Sequence, residues 1–313
     1  MMTNWKHTRV LIIGVARQGI SLARYLVQRG AEVTLNDRRT AEQLSTARQA
    51  VADLPVIWAL GGHPLSLLDS VSLVCVSGGV PLDMPLVAEA QKRGIRVTND
   101  SQIFMEEAPC KVIGITGSAG KTTTTTLIGR IARAALEMGT NYRRVWVGGN
   151  IGQPLVEYLD EMDYRDLAIV EFSSFQLELM SLSPRVAVIT NITPNHLDRH
   201  GTMQAYTAAK ANILTHQQKG DIAILNREDA GAWQLRNLVH GQLMSFGLKR
   251  PEAGLPGTFA EDGQLFYSAG FHSVGISSPT HYNSLVSLSK HGISGYVPYD
   301  VEDLYTLMRW VKE

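Results

Sequence analysis

The sequence predicts an α/β protein built from two parallel-sheet units, and three observations carry that prediction. Short β-branched runs alternate with helical patterns along most of the chain. The alternation starts over after Pro109. Each half opens on an apolar run, Val10–Ile13 or Lys111–Thr116, that leads directly into a glycine-containing turn and a helix. In α/β proteins, ligands sit at the carboxyl ends of such strands.

Taken in order, Val10–Ile13 reads as the first strand, and Gly19–Gly30 as a helix ended by its glycine. Glu32–Asn36 gives a second strand, ending at Asp37. Ser72–Val76 and Ile95–Thr98 read as further strands, with a helix over Pro85–Arg93 between them. These elements make a first domain of residues 1–108. The second, 109–280, holds the strand Lys111–Thr116, a helix from Lys121, strands at Leu167–Glu171, Val186–Thr190 and Ile222–Asn226, and a helix over Met203–Gln217. After Lys249 glycine, serine and proline become frequent; Leu255–Ser268 reads as loop and hairpin, and only Val301–Val311 has helical texture. Residues 281–313 are expected to form a short divergent tail rather than a third α/β domain.

Composition narrows the function classes. Hydrophobic residues make up 44% and charged residues 19% of 313, and 29 Lys plus Arg balance 29 Asp plus Glu. No global field draws this chain to nucleic acid or to an anionic membrane, so a polyanionic ligand must be gripped locally. Nothing approaches the roughly 20 apolar residues of a membrane helix, and Val10–Ile13 is too short for a signal core. A cytoplasmic protein is expected, with Cys75 and Cys110 as reduced thiols.

The strongest local signal is Gly114–Thr123, Gly-Ile-Thr-Gly-Ser-Ala-Gly-Lys-Thr-Thr. Glycines let successive N–H groups curl inward, and the helix start adds partial positive charge. Gly117, Ser118, Ala119, Gly120, Lys121, Thr122 and Thr123 are therefore candidate ATP-binding residues. Lys121 would reach the terminal phosphates and the Thr122 hydroxyl would ligate Mg2+. The usual phosphate-loop pattern wants glycine where Ile115 stands, so a structural glycine turn is the plain alternative. A second turn, Gly14–Gly19, departs from the dinucleotide fingerprint at Ala16 and reads equally as a nucleotide site or a tight turn.

Glu171 and His196 both fall just beyond apolar strands, at the tips where α/β sites form. Alone, each is an ordinary surface residue; beside a phosphate loop, each is a candidate metal ligand. Lys210, on the Met203–Gln217 helix, reads from its surroundings as a solvated lysine.

Together these segments resemble the Mur ligase family. Thr116–Thr123 is similar to its ATP loop, with Ala119 where Asn is usual, and Gly148-Gly149-Asn150-Ile151-Gly152 to its Gly-Asn-Ile-Gly segment. Glu171-Phe172-Ser173-Ser174-Phe175-Gln176-Leu177, Asn195-His196-Leu197-Asp198 and Ala208-Ala209-Lys210 follow in the family's order. Gly14–Gly19, Asp37, Gly61–Pro64 and Ser77–Pro81 resemble the uridine-nucleotide domain of the members that add D-glutamate. The resemblance implies a Rossmann-like first domain and a P-loop central domain. It implies a ligase that uses ATP to join D-glutamate to UDP-N-acetylmuramoyl-L-alanine through an acyl phosphate, acting as a monomer. By this likeness Arg17, Gln18, Asp37, Arg38 and Gly79 line the UDP pocket, while Asn150 and Ser173 meet the substrate. Thr122 and Glu171 hold one Mg2+; His196 and Lys210, the latter carbamylated, hold a second, and with Lys121 these form the catalytic set. The family's third domain contributes a His-Arg pair and an Asp-Ser-Lys-x-Thr-Asn segment that this sequence lacks, which keeps a non-catalytic nucleotide-binding module open beside the ligase.

Overall fold

The computed structural model describes residues 3–262, 264–269, 273–277, 285–290 and 293–298. The first unit is a five-stranded, wholly parallel sheet of β1 (Arg9–Ile13), β2 (Glu32–Asp37), β3 (Ile57–Leu60), β4 (Leu73–Val76) and β5 (Arg96–Thr98). Its order is β3-β2-β1-β4-β5. Helices α1 (Arg17–Gln28), α2 (Ser45–Ala50), α3 (Pro85–Lys92) and α4 (Asp100–Glu107) accompany it. Val10 and Ile12 share a core with Leu22 and Leu26 of α1, while Leu11 and Ile13 share another with Leu86 and Val87 of α3. Successive side chains point to opposite faces of a strand, so a continuous apolar run is what a sheet covered on both sides requires. The strand order reverses between β1 and β4, which opens a crevice beyond their carboxyl ends.

The second unit repeats this logic with β6 (Lys111–Thr116), α5 (Lys121–Glu137), β7 (Val145–Gly149), β8 (Leu167–Glu171), α6 (Ser174–Leu177), β9 (Val186–Ile189), α7 (Leu197–His200), α8 (Met203–Thr215), β10 (Ile222–Asn226), α9 (Ala230–Trp233) and β11 (Gln242–Phe246). The parallel strands run β7-β8-β6-β9-β10-β11. β6 lies between β8 and β9, so the loop after it emerges at this sheet's own switch point. β12 (Pro256–Glu261) adds parallel to β11 and turns back into β13 (Gln264–Ala269), the hairpin expected over Leu255–Ser268. β14 (Ser273–Ser277), β15 (Leu285–Lys290) and β16 (Ile293–Pro298) continue antiparallel. The helical texture of Val301–Val311 lies outside the described residues.

Three strands, β3, β7 and β11, were not apparent in the sequence pattern. Helix α4 opens on a side-chain cap: Asn99 Oδ1 accepts from Gln102 N at 2.8 Å. That helix also joins the two units. Asn99 Nδ2 donates to Gln176 O at 2.7 Å, and Ser181 N to Gln102 Oε1 at 2.8 Å. Ser21 Oγ on α1 donates to Glu157 Oε2 at 2.7 Å. One apolar core, with Tyr25, Phe104, Leu155 and Leu159, runs beneath these bonds. Among the described residues no helix is long and apolar enough to cross a membrane.

Candidate active site

The phosphate loop leaves β6 at the buried Thr116, whose Oγ1 donates to Phe172 O at 2.9 Å. Gly117 is obligatory: a Cβ there would stand 1.8 Å from Thr190 Oγ1. Gly120 takes φ +77 at the N-cap of α5, a conformation most side chains resist. Asn191 then braces the curve, its carbonyl accepting from Ser118 N and its Oδ1 from Ala119 N, both at 2.9 Å. This revises the sequence expectation, in which the Ser118 and Ala119 amides face a phosphate. The donors left free are the amides of Gly117 and Gly120 and the first-turn amides of Lys121, Thr122 and Thr123, which find no hydrogen-bond partner among the described residues. Helix α5 runs 17 residues and carries no acidic side chain of its own in its first turn, so its positive end faces the loop. Lys121 Nζ donates to Ser118 O at 3.2 Å and stays beside the loop.

Glu171 ends β8 with 1% of its surface exposed. Thr122 Oγ1 donates to its Oε2 and Asn150 Nδ2 to its Oε1, both at 2.8 Å. Thus two residues named from sequence, Thr122 and Asn150, converge on the carboxylate of a third at the switch point. Lys210 joins them and overturns its reading as a solvated side chain. It is 1% exposed, donates to Gly117 O at 2.9 Å and to Thr116 Oγ1 at 3.4 Å, and lies 4.7 Å from the Tyr206 ring centre. Burial first, then the charge of Lys121, pushes its pKa down to about 7, with Glu171 opposing. Helix α8 buries Tyr206, Ala209, Lys210 and Ile213 alike, so the lysine occupies a core position in an apolar stretch.

The remaining predicted residues are placed less centrally. His196 is exposed, at φ +52, and its ring packs edge-on against Phe175 at 5.3 Å. It makes no hydrogen bond to Thr122, Glu171 or Lys210. Among the described residues no three His, Cys, Asp or Glu gather as a ready metal cage. Ser173 caps α6, accepting from Gln176 N at 3.2 Å while its own N–H donates to Gln176 Oε1 at 2.9 Å.

In the first unit, a cavity of about 580 Å3 lies where β1 and β4 diverge, lined by Gly14, Asp37, Arg38, Arg39 and Gly79 among others. Arg17 and Gln18 do not line it. Arg17 Nη2 donates to Asn150 O at 2.7 Å across the units, and Gln18 Oε1 accepts from Gly78 N at 3.4 Å. Asp37 is a brace rather than a free acceptor. Its Oδ2 accepts from Val15 N at 2.9 Å and Arg39 Nη2 at 2.7 Å; its Oδ1 accepts from Arg39 N at 3.0 Å and Nε at 2.9 Å. Sequence reasoning missed Arg39, although a second arginine after the β2 aspartate was there to see. Arg39 holds the Asp37 carboxyl well below the usual carboxylate range. A lowered folded pKa gives stability that is complete above the unfolded value near 4 and is lost as acid protonates the folded form. Asp37→Asn is therefore expected to cost on the order of 1–2 kcal/mol at pH 7, with the difference narrowing below about pH 4. Matched urea melts at pH 7 and pH 3 check this; equal midpoints at pH 7 would remove the brace from the account.

Comparison with known proteins agrees with this layout. Residues 115–284 match the model of the Mur ligase middle domain, and residues 8–99 that of the MurD-like N-terminal domain of Mur ligases. A UDP-N-acetylmuramoylalanine–D-glutamate ligase of Symbiobacterium thermophilum is 36% identical over 262 residues, covering 84% of this chain and 56% of the relative. One from Pelotomaculum thermopropionicum is 39% identical over 251 residues, covering 80% and 54%. The chain thus spans about half the length of the curated relatives it matches. In fold, it is similar to the UDP-N-acetylmuramate:L-alanyl-gamma-D-glutamyl-meso-diaminopimelate ligase of Neisseria meningitides, with TM-score 0.55, 14% identity, and coverage of 98% of this chain and 93% of that one.

Proposed function

The chain belongs to the Mur ligase family, and from that premise we propose that it activates the terminal carboxylate of UDP-N-acetylmuramoyl-L-alanine with ATP and joins it to D-glutamate in the cytoplasm. Residues 1–108 hold the uridine nucleotide in this reading, and 109–280 hold ATP. A carboxylate oxygen bonds the γ-phosphorus as the bond to ADP breaks; the amine of D-glutamate then attacks the acyl carbon, loses its proton, and expels phosphate. The observation that carries the reading is the convergence of Lys121, Thr122, Asn150, Glu171 and Lys210 on the switch point beside the free first-turn amides.

Each residue has a task set by its chemistry. The amides of Lys121–Thr123 and the Lys121 ammonium bind the phosphates and steady the charge that moves during transfer. Glu171 and Thr122 offer two hard oxygen donors 2.8 Å apart, a set that suits a magnesium ion. Bound there, Mg2+ would neutralise phosphate charge so that a second anion can approach. Lys210, half neutral near pH 7, has the free amine that carbamate formation from carbon dioxide requires. His196, on an exposed turn, would complete a second ion site with it in this reading.

The test is phosphate release with ATP, Mg2+ and UDP-N-acetylmuramoyl-L-alanine, with and without D-glutamate. Release that depends on D-glutamate supports a ligase; nucleotide binding without release would leave a binding module. Glu171→Gln keeps the shape and one acceptor, with Asn150 donating to the amide oxygen and the Thr122 hydroxyl turning to accept from the amide nitrogen, but removes the charge. It is expected to lower release about 100-fold and to raise the magnesium concentration needed for half-maximal rate. An unchanged magnesium titration would take Glu171 out of the ion site.

A further inference from the structure

The turn around α7 is fastened to both units. Arg199 on that turn donates from Nη1 to Gly79 O at 3.0 Å and from Nη2 to Val80 O, both in the first unit. Gly79 and Val80 line the 580 Å3 cavity. The same guanidinium lies 5.0 Å from the Phe175 ring centre. Phe175 stacks on His200 at 5.1 Å with 7° between the planes, and His200 meets Tyr206 at 5.1 Å. The Tyr206 hydroxyl is 2.9 Å from Ser118 Oγ in the phosphate loop, and its ring lies beneath Lys210. His200 cannot rotate freely within this column: Nδ1 is 3.1 Å from Glu178 Oε1 and Nε2 is 2.9 Å from Ser174 Oγ. Packed side chains therefore run unbroken from the wall of the cavity to the phosphate loop.

We propose that Arg199 and this column of rings couple the two sites, so that a nucleoside diphosphate in the first-unit cavity tightens nucleotide binding at the phosphate loop. The inference rests on the nucleotide reading of both sites given above. Its sign follows from ordering. A ligand seated against Gly79 and Val80 fixes the two carbonyls that Arg199 grips, and with them Phe175, His200 and Tyr206. The phosphate loop then needs less ordering when its own ligand arrives. Linkage is reciprocal, so each ligand must tighten the other by one common factor. Arg199 is a positioning residue here, since it contacts neither ligand in this scheme.

The experiment is calorimetric titration of the whole chain with Mg-ADP, with and without saturating UDP, and the converse titration. Wild type is expected to show a common tightening of about fivefold or more. Arg199→Ala is expected to bring that factor to about one while Mg-ADP alone binds within twofold of wild type. Phe175→Leu, which keeps the volume apolar but removes the ring stack, should do the same and guards against a local collapse peculiar to the alanine. Both ligands binding with a factor of one in wild type overturns the coupling, as does a wild-type factor in folded Arg199→Ala or Phe175→Leu. If UDP or Mg-ADP fails to bind at all, the nucleotide reading falls and the coupling falls with it, an outcome separate from two independent sites.

Discussion

Lys121→Ala is expected to reduce ATP-dependent phosphate release by about 1,000-fold while leaving the thermal midpoint within a degree or two of wild type. The contrast in size between the two effects is the point. In the fold Lys121 does little: it is half-buried, and among the described residues its ammonium makes one hydrogen bond, the 3.2 Å contact to Ser118 O. The loop is held by other means, through Asn191 on Ser118 and Ala119 and through the close approach of Thr190 to Gly117. In transfer, by contrast, an ammonium in a fixed, partly dehydrated position meets charge as it develops, where preorganised electrostatics contribute most. The first-turn amides remain in the variant, so nucleotide should still bind, more weakly. The loss should fall mainly on kcat. Lys121→Arg should not restore the rate, because a planar fork cannot occupy the place of a compact ammonium on a flexible stem. Phosphate release within threefold of wild type in folded Lys121→Ala would end the phosphate-loop reading.

Much of this was legible in the residues. The glycine turn ends a strand and opens a helix, so Gly117 to Thr122 are legible from the sequence alone. Glu171 could be found because it ends an apolar strand in a chain that also carries a phosphate loop; alone it reads as an ordinary strand-end residue. What could not be read was which groups the loop uses on itself. Asn191 takes the amides of Ser118 and Ala119 through one carbonyl and one side-chain oxygen, and the 72 residues that separate Asn191 from Ala119 leave no periodic trace. Arg39 was hidden differently: the likeness marks Asp37 as a pocket residue, and nothing in the pattern says that Arg39, two residues on, encloses it. Short elements such as α6 and α7, four residues each, carry too little pattern to be found, yet they place Phe175 and Arg199. Pattern reports which face is buried. It does not report which polar group is spent on holding a loop.

Lys210 is the extreme case, and it yields the second large effect. Its ordinary pKa of 10.5 is pushed down to about 7 by burial and by Lys121. The unfolded chain therefore binds a proton between about pH 7 and pH 10.5 that the folded chain has released. Stability must rise with pH across that window, and the penalty for burying the ammonium is complete below it. Lys210→Met, similar in volume and without the charge, should be more stable than wild type at pH 6 by several kcal/mol, on the order of 5 at most. That advantage should shrink steadily toward pH 10. There it should reverse slightly, because Gly117 O has lost its buried donor. Urea melts of both proteins in EDTA-containing, bicarbonate-free buffer from pH 6 to pH 10 read the difference directly; parallel curves would mean that Lys210 keeps an ordinary proton affinity. The same variant should be inactive in phosphate release despite its gain in stability. A lysine that weakens the fold it sits in, beneath a phosphate loop and against Gly117, makes physical sense if the site needs its unprotonated amine.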